Sequence, residues 1–402
     1  MLSTPRLAAI AAAAFVSGVS ASVSAQTQAF TVDCSLRQTI TKALEQGDER
    51  KPLVLTVRGT CNENVRISRD DVTLRGDRLS AGGVNGPDPA LDTILITGSR
   101  ATVEGINVTG GRDGIAAIGA AGLNIRNSMI QLSGRNGISF TAGASGTVDA
   151  STIRLNPRDG VAVDAAQATV VNSTVSQNAR MGVIVANGGS ARLGVDSLNA
   201  AAGNTISLNG SNGVRVSNGG TAQIAMNQIA DNGADPAAED LGRHGVSLGN
   251  ASANIIGGNT IRDNARAGVN ARGSSVLIGD TTFGFSSVNT ITGNKGQGAV
   301  FGFLGSSMLV QNAVISGNSG FGFGLSLRSN GQLTASTIQG NGSDGIRLIF
   351  GSGLFPSGSS VVSGNAGWGL QCTDGESSVI NTSLLGLSGN GLGNVSGTCT
   401  GF

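Results

Sequence analysis

The chain has 402 residues, 64 of them Gly, with 13% charged residues and a formal net charge of +1. The glycines follow no Gly-X-Y period, which excludes collagen, and recurring Leu, Ile and Val with so few charges exclude a disordered chain. A net charge this small gives no bulk attraction to nucleic acid or to an acidic membrane. Tyr is absent and Trp occurs once, so the core must be built from small aliphatic layers. Lys occurs only at Lys42, Lys51 and Lys295; the other basic residues are Arg, whose planar fork grips carboxylates and sulfates.

Residues 1–25 read as a secretory signal. Arg6 marks a short basic region, LAAIAAAAFVSGV from Leu7 to Val19 is the apolar stretch, and Val23-Ser24-Ala25 offers a cleavage site before Gln26. No later stretch is apolar and long enough to span a bilayer. The mature chain is therefore expected to be soluble and secreted or periplasmic, with no transmembrane segment.

Residues 26–51 read as an N-terminal cap. In SLRQTITKALEQ (Ser35–Gln46), Leu36, Ile40 and Leu44 fall four apart, which predicts a short amphipathic helix lying over the first coil and its open sheet edge.

From residue 52 to 395 the chain repeats. A Gly followed by an aliphatic strand recurs at Gly114, Gly137, Gly160, Gly182, Gly213, Gly245, Gly268, Gly298, Gly322, Gly345 and Gly369. The spacing is 22 to 24 residues, with three longer steps of 30 to 32. Upstream runs a second column ending in Asn, among them Asn156, Asn178, Asn209, Asn232, Asn264, Asn294, Asn318, Asn341 and Asn365. A third short apolar segment precedes each of these. Each unit thus holds three strands of 3 to 5 residues that cannot fold alone. Stacked in parallel at about 4.8 Å per coil, eleven anchored coils would span roughly 50 Å. The first and third residues after each Gly should point inward, as Val161 with Val163 and Ile346 with Leu348, and the middle one outward. The asparagines fit an internal amide ladder.

The pattern predicts an all-β, single-chain parallel solenoid of about a dozen coils with a short N-terminal helix. It resembles the right-handed parallel β-helix superfamily, which includes pectate lyases and polygalacturonases, over roughly residues 52–395. The resemblance implies a right-handed coil; the fold hosts many activities and implies none by itself. Four Cys in an exported chain suggest two disulfides. The ends of a rod are far apart, so the expected pairs are Cys34–Cys61 and Cys372–Cys399, with residues 396–402 as a C-terminal tail.

Aligned coils let surface columns be read directly. Two positions before the anchor stand Arg112, Arg135, Arg158, Arg180, Arg243 and Arg266, interrupted by Ser211. They form a candidate track for an acidic polysaccharide, or a solvated turn whose arginines splay apart. Asp113 and Asp159, with Asp164 a few residues on, are a candidate Ca²⁺ site; the alternative is that Asp-Gly and Asn-Gly are favoured turn dipeptides. His244 is the only His, in GRHGVSLG. This is similar to the Gly-His-Gly motif of polygalacturonases, whose Asn-Thr-Asp and paired-Asp motifs are missing here, as is the Asp-Pro-His-Asp motif of mannuronan epimerases. His244 equally fits a variable turn slot. The insertion Asp231–Arg243 gathers Asp235, Glu239 and Asp240 beside Arg243 and His244, and makes these five a candidate catalytic group. Phe301 and Phe323 are expected to point inward, leaving Trp368 as the candidate sugar-stacking ring.

The expected function is binding of extracellular carbohydrate, an acidic polysaccharide, through turn and loop residues, with a lyase or glycosidase acting on uronate-rich polymers as one alternative. A non-catalytic surface or adhesin-type scaffold is the other. A glycan partner, no nucleic acid and a monomer are expected, with Ca²⁺ the one candidate cofactor.

Overall fold

A computed structural model describes residues 26–78, 82–237, 242–279, 284, 287–396 and 399. The signal segment lies outside these residues. Among the described residues there are three parallel sheets: sheet A with 15 strands, sheet B with 14 and sheet C with 14. Beyond the first strand, which pairs with the second, each strand pairs with the strand three further along the chain, so the backbone visits A, B and C in turn and climbs one step per circuit. The stack exceeds the expected dozen coils, because coils without an anchor glycine, such as Ile94–Ile96, belong to it.

Inward files of aliphatic residues form the core. Val161, Val183, Val214, Val246, Val269 and Val300 stand one above another and are fully buried. The residues between inward positions face out, as the two-residue strand period requires. The Asn column forms the expected ladder. From Asn156 through Asn178, Asn209, Asn232, Asn264, Asn294, Asn318, Asn341 and Asn365 to Asn390, each Nδ2 donates to the next Oδ1 at 2.9–3.0 Å. Each Oδ1 also accepts the main-chain N–H of the preceding Asn, as Asn209 Oδ1 does from Asn178 at 3.1 Å. A second ladder, Ser128, Ser151, Ser173, Asn204, Asn227, Asn259 and Asn289, holds the A-to-B turn.

Both expected disulfides are present, Cys34–Cys61 and Cys372–Cys399. The N-terminal helix is shorter than its spacing predicts. A 3₁₀ turn, Cys34–Leu36, ends at Arg37 with φ 64°, and helix α1 spans only Ile40–Gln46 behind the N-cap Thr39. Ile40 and Ala43 are buried under the first coil, whereas Leu36 is 70% exposed. The cap also supplies a strand, Gln28–Asp33, which forms the outer edge of sheet A. Among the described residues, no helix is long and apolar enough to cross a membrane.

One anchor is displaced. Val269 aligns with Val300, which puts Ala299, not Gly298, above Gly268. The ladder Asn normally precedes its anchor by four residues, as Asn264 precedes Gly268, but five separate Asn294 from Ala299. One extra residue in that turn shifts the following strand by one place and turns every side chain to the other face.

Asn209→Ala tests the ladder. It leaves the Asn178 N–H and Nδ2 without their acceptor in a dry core, at about 1–3 kcal/mol for each unsatisfied group. The expected outcome in thermal unfolding is a clear drop in Tm, with little change for Asn218→Ala on the exposed turn.

Candidate functional site

The register places outward residues of sheet C in two adjacent files. One runs Arg215, Ser247, Asn270, Phe301; the other carries Gly249, Arg272 and Phe303. The displaced anchor makes Phe301 outward and partly exposed, against the sequence expectation, while Phe323 is inward and fully buried as expected. Phe301 stacks on Phe303, with ring centroids 5.4 Å apart and planes at 15°. Phe321 meets Phe301 edge-on at 5.4 Å. The Phe321 ring lies across Gly298 and Gly324, where a Cβ would fall 2.0 and 2.2 Å from it. Those two glycines let the ring lie flat on the sheet.

Beside this cluster is a recess of about 530 Å³, lined by His244, Arg266, Asn270, Lys295, Phe301 and Phe303, among others. Its cationic side continues to Arg215 and Arg272, two coils apart on the same face. Arg215 donates from Nη1 to Ser247 Oγ at 3.0 Å. Burial, and then the like charge of Arg272, push its guanidinium below the ordinary Arg value. A half-buried arginine repelled by a second one is a place where an anion would be stabilised.

His244 has a structural task. Its Nδ1 accepts the Ala267 N–H at 3.1 Å, and its own N–H is accepted by Asn212 Oδ1 at 2.9 Å. This is the slot that Asp92, Asp113, Asn136, Asp159 and Asp344 fill elsewhere, each bonding the N–H of the residue one coil on. With Nδ1 occupied, the ring proton is assigned to Nε2. Burial, then Arg266 and Arg215, push the imidazole pKa down to about 3. His244 is thus a neutral donor at physiological pH, ill suited to act as a general base.

Of the other members of the candidate catalytic group, Asp235 and Arg243 are among the described residues. Asp235 accepts the Ala237 N–H at 2.9 Å, and Arg243 Nε donates to the Gly233 carbonyl at 2.6 Å, so both fold the insertion. Glu239 and Asp240 lie outside the described residues.

Three of the six arginines of the track face carboxylates of the preceding coil. Arg112 forms a two-point pair with Asp92 at 2.9 Å, Arg135 approaches Asp113 at 3.8 Å, and Arg180 approaches Asp159 at 3.9 Å. Asp92, which sequence reading missed, stands in a coil whose anchor slot holds Thr93 in place of Gly. Asp113 and Asp159 are buried ladder acceptors. Burial raises the Asp159 carboxyl, and Arg180 opposes that effect. Asp164 sits at the opposite end of its strand, where it accepts from Asn187 Nδ2 at 2.7 Å. These three acids therefore do not form a Ca²⁺ cage. Among the described residues, no group of three His, Cys, Asp or Glu side chains could hold a metal. Trp368 lies at the C-terminal end with its ring over Gly393, several coils beyond the recess.

Sequence reading thus missed Arg215, Asn270, Arg272 and the outward Phe301. The middle residue of each anchor strand lists Arg215, Ser247 and Asn270 from the sequence, but the usual four-residue span from Asn294 points to Gly298, so only the strand pairing reveals the displaced coil.

The family model described as "Right handed beta helix region" matches residues 56–199, 92–237, 159–287 and 238–384 in overlapping segments. No curated protein matches the sequence. Among solved structures, the chain is similar to the periplasmic alginate epimerase AlgG at 11% identity and a TM-score of 0.47, over 92% of this chain and 85% of that one. It is similar to pectate lyase Pel9A at 14% identity and a TM-score of 0.42, over 73% and 79%. The A-module of the Azotobacter vinelandii mannuronan C-5 epimerase AlgE4 aligns at 13% identity and a TM-score of 0.42, over 90% and 92%.

The state of His244 is testable by pH. Its folded pKa lies below the unfolded value, so the unfolded chain takes up the proton first and stability falls as pH drops from about 6.5 toward 3. His244→Asn keeps an acceptor for the Ala267 N–H and removes the titration. The stability of His244→Asn relative to the parent should rise on acidification, by up to about 1.4 kcal/mol per pH unit. A pH-independent difference would contradict the assignment.

Proposed function

The chain belongs to the right-handed β-helix family, and from that premise we propose that it is an extracytoplasmic protein that binds an acidic polysaccharide on the outer face of sheet C. The observation that carries the reading is the recess itself. Arg266 and Lys295 line it with the stacked Phe301–Phe303 pair, and Arg272 and Arg215 stand one and three coils before that pair on the same strand face. Arginine forks suit carboxylates, and aromatic faces suit the C–H face of a pyranose ring. Coils repeat at about 4.8 Å, close to the length of one sugar, so a chain lying along the rod meets equivalent positions in sequence. Two disulfides favour an oxidising compartment.

Binding residues on this reading lie on the strand face rather than only on turns and loops. The paired arginines Arg112, Arg135 and Arg180 contribute little to it, while Arg266 belongs both to the track and to the recess.

A catalytic reading has one observation in its favour. Arg215 is half-buried on the strand face with Arg272 two coils on, and burial and that like charge lower its guanidinium below the ordinary Arg value. Removing the proton beside a uronate carboxylate requires a base, with cations neutralising the carboxylate. Polyuronate incubated with the protein and scanned for unsaturated products separates the two readings. Products lost in Arg215→Lys would make the protein a lyase; binding without products leaves it a binder.

Affinity for polygalacturonate and alginate at low salt tests the site. Arg215→Ala with Arg272→Ala should weaken binding at least tenfold, about 1.4 kcal/mol, and Phe301→Ala severalfold. Arg158→Ala, on the track but away from the recess, should change it less than about twofold. The reverse ranking would move the site to the track, and no retention of any polyanion would remove the proposal.

A further inference from the structure

The recess changes character along the rod. On the strand face leading into it, Arg215 and Arg272 stand on the N-terminal coils, and the coil after Arg272 is aromatic, at Phe301 and Phe303. Beyond the aromatic pair, the turn from sheet C to sheet A carries Leu304, Leu327 and Phe350 on three successive coils. They are 44%, 41% and 61% exposed. All three have left-handed backbone, with φ of 55°, 53° and 54°. On the six preceding coils this position is Ala142, Ala165, Asn187, Asn218, Asn250 and Gly273, residues that are small or tolerate that conformation. Large apolar side chains are therefore held in a disfavoured conformation and turned to solvent, next to a stacked aromatic pair. Backbone strain of this kind collects at functional positions. Exposed left-handed leucines also occur at Leu132, Leu155 and Leu208 on the B-to-C turn, but Gln177 interrupts that row and no aromatic pair adjoins it.

We infer that the ligand is an acidic saccharide carrying an alkyl or acyl chain, its carboxylate held by Arg215 and Arg272 and its chain laid over Phe301, Phe303 and the Leu304–Leu327–Phe350 ridge. This rests on the acidic-glycan reading of the same recess and adds an apolar substituent to it. Charge complementarity fixes the head, and the continuity of the ridge with the aromatic pair fixes the direction of the chain, toward the C-terminal coils. A plain polyuronate would leave the ridge uncovered.

Calorimetric binding of dodecyl glucuronide, methyl glucuronide and dodecyl maltoside, all below their micellar concentrations, tests this. Dodecyl glucuronide should bind at least tenfold more tightly than methyl glucuronide, the gain from burying two or more methylenes, and more tightly than the uncharged maltoside. In Leu304→Gly with Leu327→Gly, that gain should shrink to about twofold or less while Tm stays unchanged or rises, because Gly relieves the backbone. The inference is overturned if chain length adds nothing, if the double variant keeps the full gain, or if it lowers Tm together with binding. It is also overturned if anionic phospholipid vesicles bind more tightly than the glucuronide. Retention of polygalacturonate is measured in parallel. If that polymer binds and the alkyl chain adds nothing, this inference fails alone; if neither binds, the acidic-glycan reading fails with it.

Discussion

A buried amide has two donors and an acceptor that must all be satisfied, and in this protein the partners come from neighbouring coils: Asn209 Nδ2 donates to the Asn232 amide on one side and to the Val175 carbonyl on the other, while its Oδ1 accepts from Asn178. That requirement fixes the structure. Ten asparagines from Asn156 to Asn390 bond in one line, and a coil that slipped by one residue would leave an amide unpaired in a dry core. Aliphatic burial supplies the driving force, and valine files such as Val161–Val183–Val214 resist a slip of one residue, but a slip of two would keep their inward side while breaking the ladder. The ladder therefore sets register, and register decides which side chains reach the outer faces.

The surface follows from that constraint. Because the ladder asparagine is fixed, an extra residue between it and the next strand must be absorbed by the strand. At Lys295–Gly298 this turns Phe301 outward and builds the aromatic half of the recess. The long insertion before His244 is absorbed differently: the chain loops out and returns to the same slot, where the imidazole takes the place of a carboxylate or amide. Residues that look catalytic in the sequence are thus drawn into holding coils together. Asp113, Asp159 and His244 all accept the N–H of the next coil, and that role explains their burial. The face left for a ligand is the strand face, where Arg215, Asn270 and Arg272 have no such duty toward the next coil's main chain.

Much of this was legible in the sequence, because a ladder repeats and a repeat can be counted. The three-strand unit, the amide column, the inward valines and both disulfide pairs follow from periodicity. What was not legible depended on contacts between coils. Leu36 keeps the helical spacing, yet the chain reverses at Arg37 before α1 begins, so spacing alone overran the helix. Asp92 carries no Gly after it, and only the pairing of its coil places it beneath Arg112. The outward file was misread at one coil, because a Gly at position 298 imitates the anchor that Ala299 supplies.

The most direct test of this account is the native-state thiol reactivity of two single-cysteine variants at neighbouring positions, Val300→Cys and Phe301→Cys, in a chain whose own four cysteines are all in disulfides. If the ladder sets the register described here, the thiol at position 301 reacts readily in the folded protein and the thiol at 300 reacts only on unfolding. The opposite order would put the phenylalanine in the core, move the whole file by one place and remove the aromatic half of the recess.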